Sequence, residues 1–63
     1  MELARYRLGT DIFSVETISG QPDYRIAWGR ADAPHAFVVE AERAEDIQRH
    51  LLTLDSEGWE RVK

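Results

Sequence analysis

The hydrophobic residues of this chain change their spacing once, near residue 41, and that change constrains the fold more than any single motif. Before it, apolar residues alternate with polar or small ones, as on a half-buried β-strand. From Ala44 to Leu54 they recur three and four residues apart, as on one stripe of a helix. Four alternating segments precede the change. Residues 5–8 place Tyr6 and Leu8 on one face and two arginines on the other, and residues 12–18 group Phe13, Val15 and Thr17. Residues 24–30 group Tyr24, Ile26 and Trp28 and read as the middle strand of a sheet, stopped by a break at Gly29. Residues 36–40 place Phe37 and Val39 inward and Glu40 outward. Turn formers separate these segments at residues 9–11, 19–23 and 31–34. A helix is expected over residues 42–55, with Ala44, Ile47, Leu51 and Leu54 on one stripe. Glu45 and Asp46 lie in its first turn, where the helix dipole favours acids, and Gly58 supplies a left-handed stop. No Ser, Thr, Asp or Asn stands at the N-cap, and residues 59–62 leave room for a short last strand.

These elements predict an α+β fold, an antiparallel sheet of four to five strands with one C-terminal helix packed on one face, as a single domain over residues 1–63. A domain of this size buries only about 60% of the surface its unfolded chain exposes, so the core must be one layer of side chains. Tyr6, Leu8, Phe13, Val15, Tyr24, Ile26, Trp28, Phe37, Val39, Ile47, Leu51 and Leu54 are its expected members. Cysteine is absent, so neither a disulfide nor a thiolate metal site reinforces it. So thin a core makes a protein partner or a homodimer an expectation. No apolar run approaches the ~20 residues of a membrane span, and the N-terminal residues lack the apolar stretch of a signal peptide. A soluble cytoplasmic protein with no membrane partner is expected.

The net charge of −4 is unevenly placed. Acids and arginines balance over the first thirty residues, whereas eight acids face Arg43, Arg49, Arg61 and Lys63 beyond them. An acidic second half disfavours nonspecific nucleic-acid binding, which needs clustered cations, and favours a basic protein partner. Two opposed surfaces follow from the strand phase. Arg5, Arg7 and Arg25 face outward from the sheet and, with Arg30, would form a phosphate-binding patch if strands one and three lay close together. Alternatively, Glu16 and Glu40 neutralise them in cross-strand pairs. Glu42, Glu45 and Asp46 head an acidic surface that is either a solvated helix flank or a mimic of nucleic-acid phosphates. Trp28 and Arg30 could together stack a base and pair a phosphate, although the phase of Trp28 with Tyr24 and Ile26 points it into the core.

Equipment for catalysis is missing from the pattern. His35 and His50 are isolated, with no His-Glu-x-x-His spacing and no evident carboxylate at ligand distance, so no metal or other cofactor is expected. The serines lie in no nucleophile-elbow context, and no glycine-rich loop is present to cradle a phosphate. The expectation is a protein that is not an enzyme.

A third strand ending in Trp28-Gly29-Arg30, followed by a turn, a strand, a helix and a closing Gly58-Trp59, resembles the WGR domain over nearly the whole chain. The resemblance implies a noncatalytic binding module, known in poly(ADP-ribose) polymerases for holding broken DNA ends and neighbouring protein domains. The position matching Trp28 there packs near the terminal nucleotide, and the one matching Arg30 bridges DNA and protein. This chain departs from the family after the motif, where Ala31-Asp32-Ala33-Pro34-His35 replaces a Gly-x-x-Gly stretch, and it lacks the family's lysines and the Ser at the helix start. The expected function is therefore a small protein-directed binding or regulatory module of WGR-like type, acting through Trp28 and Arg30 or through the acidic helix. Two alternatives stand beside it: a phage-encoded, anti-CRISPR-like inhibitor that mimics nucleic acid and blocks a basic nucleic-acid-binding protein, and a DNA-end-binding WGR module.

Overall fold

In the computed structural model, which describes residues 1–62, strands β1 (Glu2–Leu8), β2 (Asp11–Thr17), β3 (Tyr24–Arg30), β4 (Val38–Glu42) and β5 (Glu60–Val62) form one antiparallel sheet in the order β4-β3-β2-β1-β5. Helix α1 (Ala44–Ser56) packs across one face. The sheet grows from hairpins until the last step. After α1 the chain returns beside β1, the strand farthest from β4 among the first four, which makes β5 the second edge. Strand β2, rather than β3, is therefore central.

Each connection is set by its residues. Gly9 turns β1 into β2 through a two-residue loop with φ of 61°, while Thr10 keeps a negative φ, as a II′ hairpin turn requires. Gly58, with φ of 87°, ends α1. The Trp59 amide donates to the Leu54 carbonyl at 3.0 Å and the Gly58 amide to that of Asp55 at 3.2 Å, which completes a Schellman motif. At the other end Arg43 occupies the N-cap without a side-chain bond, and α1 begins at Ala44, two residues after the expected start, with Glu45 and Asp46 in its first turn as expected.

The core is one layer. Tyr6, Phe13, Val15 and Ile26 rise from the sheet to meet Ile47 and Leu54 of α1, and Ala4, Tyr24, Trp28, Leu51 and Trp59 close its margins. Three expected members lie elsewhere. Leu8 has the inward phase but ends its strand outside the core cluster, and 41% of it is exposed. The alternation over residues 36–40 predicts Phe37 and Val39 inward on one strand. Instead Pro34–Ala36 form a 3-10 turn, β4 begins at Val38, and its phase is inverted. The pairs Trp28↔Val38, Ile26↔Glu40 and Tyr24↔Glu42 put Val38, Glu40 and Glu42 on the helix face and turn Val39 to the open face.

Gly29 is not a break, since β3 runs through it to Arg30. Its Cα faces the open side of the sheet, where Phe37 folds down on it. A Cβ at this position would lie 2.8 Å from Phe37 Cδ1 and 3.2 Å from Phe37 Cα. The glycine seats a ring.

Candidate protein-binding surface

The two faces of the sheet differ in chemistry. On the face away from α1, cross-strand rows run Val39–Ala27–Ser14–Arg5–Val62 and Ala41–Arg25–Glu16–Glu2, with Phe37 over Gly29 beside Ile12 and Arg7. The β1 and β5 side of this face is charged and the β4 side is apolar or small. Strands β1 and β3 are separated by β2, so the outward arginines do not converge.

Each of these arginines is closed by a carboxylate. Arg5 Nε donates to Glu2 Oε1 at 2.7 Å across a bulge in β1, Arg7 to Glu60 at 3.3 Å, and Arg25 to Glu16 at 3.5 Å. Glu16 thus plays the neutralising role foreseen for it. Glu40 does not, because it lies on the opposite face. Glu2 and Glu60, which the sequence pattern did not offer as partners, take that place. All of these pairs are solvent-exposed, and pairs of this kind contribute only about 0–1 kcal/mol each. Among the described residues no arginine of this face presents an unengaged guanidinium.

Trp28 and Arg30 are brought to the helix side together. The indole is half-buried and stacks on Phe13, with ring centres 6.4 Å apart and planes 19° from parallel. Arg30 is exposed, and its guanidinium forks onto Asp32, with Nε to Oδ1 at 3.0 Å and Nη2 to Oδ2 at 2.8 Å. A carboxylate already occupies the bidentate geometry that a phosphate would need.

The acidic residues gather at the corner where β4 enters α1. Glu40 projects from the helix face of the edge strand, and Glu45 and Asp46 occupy the first helical turn. Their arginine neighbours sit at a distance, Arg43 at 3.7 Å from Glu45 and Arg49 at 3.9 Å from Asp46. Glu42 has a structural partner. His50 Nδ1 lies 3.2 and 3.3 Å from its two carboxylate oxygens, which can only accept, so the ring N–H donates and ties α1 to β4. The His50 ring also rests on Phe13, 4.7 Å between centres. The pattern of isolated histidines gave no signal of this link, because Glu42 was expected inside the helix rather than at the end of a strand.

Taken together, β4 and α1, with the residues that join and end them, carry six acids against Arg43 and Arg49, which equals the whole net charge of −4. Everything outside residues 38–57 is balanced.

Among the described residues no group of three or more His, Asp or Glu side chains is placed to hold a metal ion, and no helix is long and apolar enough to cross a membrane. Compared with known proteins, the chain matches no family model, no curated protein and no solved structure. Its class is that of a small α+β domain with an acidic end.

Proposed function

We propose that this chain is a noncatalytic protein-binding module of WGR-like type, acting in the cytoplasm, whose binding surface is the acidic end formed by β4 and the start of α1 and whose partner is a basic protein. The observation that carries this reading is the division of charge: β4 and the start of α1, residues 38–49, hold four acids against Arg43 and Arg49, which is half of the net charge of −4, Asp55 and Glu57 hold the other half at the far end of α1, and the candidate cations elsewhere are each paired at 2.7–3.5 Å. A basic surface approaching this end meets loosely held carboxylates and gains from charge complementarity in both rate and specificity. Glu40, Glu45 and Asp46 supply the contact. Glu42 contributes its charge but is held by His50.

The same acidic end supports the inhibitor reading, in which its carboxylates take the place of phosphates in a partner's nucleic-acid groove. The DNA-end reading has less support, because a duplex would have to displace Asp32 from Arg30 and slide beside an indole already stacked on Phe13.

The test is capture of partners on immobilised protein, comparing the native chain with the triple variant Glu40→Lys, Glu45→Lys, Asp46→Lys. The expected result is recovery of basic proteins that weakens with added salt and is lost in the variant. Capture that the triple change leaves intact would exclude this surface. Release of the captured protein by added DNA or RNA would identify the partner as nucleic-acid-binding and select the inhibitor form of the reading.

A further inference from the structure

The β4 edge is open in a way that the other edge of the sheet is not. The Ala31 amide donates to the Thr10 carbonyl, which fixes the alternation of hydrogen bonds across β2, β3 and β4. Odd-numbered residues of β3 bond to β2, and even-numbered ones bond to Val38, Glu40 and Glu42 of β4. The N–H and C=O groups of Val39 and Ala41 therefore point away from the sheet with no strand beside them. Lysine, proline and a bulge, three devices that blunt an exposed edge, are missing from the five residues Val-Val-Glu-Ala-Glu, and the charges that do guard it, Glu40 and Glu42 on the helix face, repel acids and a like-charged copy but not a basic strand. The β5 edge, by contrast, turns only Arg61 outward among the described residues.

From this edge we infer that β4 accepts an extended segment of the partner as a sixth, antiparallel strand, and that the segment alternates basic and apolar residues. The inference rests on the reading of the acidic end as a protein-binding surface and specifies how that surface is used. Side chains of an added strand would alternate between the two faces of the sheet. On the helix face they would stand beside Val38, Glu40 and Glu42, near Glu45 and Asp46, where cations are favoured. On the open face they would stand beside Val39, 56% exposed, and Ala41, next to an open groove bordered by Ile18 and Arg25, where apolar residues extend the Phe37 and Ala27 surface. A second copy fits poorly. Self-pairing of the whole strand sets Glu40 opposite Glu40, and like charges directly opposed destabilise a ladder.

The alternation gives a test in which charge and backbone pairing separate. In an antiparallel ladder the guest residues opposite Val39 and Ala41 are the apolar ones, and their amides supply the hydrogen bonds. The native protein, labelled for NMR, is titrated with three short peptides of alternating arginine and valine: one unmodified, one with every valine N-methylated, and one with every arginine N-methylated. All three carry the same charge. The unmodified and arginine-methylated peptides should bind and slow hydrogen exchange at the Val39 and Ala41 amides by at least about tenfold, and the valine-methylated peptide should do neither. Glu40→Lys should weaken binding while leaving the spectrum of the free protein folded.

Equal binding of all three peptides, with no protection at Val39 and Ala41, overturns the added strand and leaves the acidic surface standing. Absence of binding by every peptide also overturns it, and charge-reversal capture then judges the surface independently. Protection of Val39 and Ala41 in the free protein, rising with its concentration, overturns it in favour of a second copy.

Discussion

Gly29 shows how one residue can be read correctly as special and wrongly as to why. It needs no positive φ, unlike Gly9, Gly20 and Gly58, and the strand passes through it without interruption. What it lacks is a Cβ, and the missing atom is the seat of Phe37. Elsewhere Gly→Ala at a compatible backbone stabilises by about 0.4–1 kcal/mol through the unfolded chain. Here that gain competes with a contact of 2.8 Å to the ring and 3.2 Å to the Phe37 backbone. Gly29→Ala should therefore destabilise, by about 1–3 kcal/mol, the range of overpacked sites. In the Phe37→Ala background the loss should shrink, since only the backbone contact remains, and a double-mutant cycle in urea would read the difference. A neutral or stabilising Gly29→Ala would show that Phe37 does not rest there. From sequence alone, a glycine demanded by its own dihedrals and one demanded by a neighbour's approach look the same. That is why Trp28-Gly29-Arg30 was legible as the end of a strand but not as a ring seat.

The elements divide by how much local information each contains. Helix α1 and the strands β1 to β3 were legible, because alternation and the three-and-four spacing each report one buried face. The phase of β4 was not. Phe37, Val38 and Val39 are three apolar residues in a row, and such a run allows either phase. The decision came from outside the segment: the 3-10 turn at Pro34–Ala36 removes Phe37 from the strand, and His50 draws Glu42 to the helix face. The candidate surface inherits that ambiguity, since the position of Glu40 and the exposure of Val39 both depend on it. The end of α1, in contrast, is encoded by one residue. A Cβ on Gly58 meets nothing within 4 Å, so any cost of replacing it comes from its φ of 87° alone. Gly58→Ala should lower stability by roughly 1–2 kcal/mol, the cost of a left-handed residue with a side chain. Gly58→Asn should lose less. A D-alanine at the same position, introduced by chemical synthesis, should raise stability, because it prefers this φ and narrows the unfolded ensemble. Thermal unfolding of the three chains checks the order, and a D-alanine chain less stable than the Gly58→Ala chain would contradict it.

At the scale of the molecule, two kinds of interaction are unequally shared between holding the fold and presenting its surface. Among the described residues six buried side chains form the core, with Val15 and Ile26 only 1% and 2% exposed, whereas every arginine–carboxylate pair is at the surface. A domain of this length has a total stability of roughly 3–9 kcal/mol, at about 0.05–0.15 kcal/mol per residue. Truncating a buried isoleucine to alanine costs about 2–5 kcal/mol, because the removed methyl groups leave a cavity that a one-layer core cannot refill from a second layer. Ile26→Ala should therefore remove a large part of the stability, with a fall in Tm on the order of 10–30 °C if a folded state persists at all. Arg7→Ala and Arg25→Ala, which each break an exposed pair, should lower stability by less than about 1 kcal/mol. Ile26→Val serves as the graded control, at about 0.5–1.5 kcal/mol, and keeps the comparison readable should the alanine variant fail to fold. Circular dichroism melts of the four variants separate the two contributions. Arginine variants as damaging as the isoleucine ones would mean that the ion pairs hold the sheet. The expected order leaves the charges free to vary without loss of fold, so that the acidic end and the paired face can be altered and tested for binding on an intact domain.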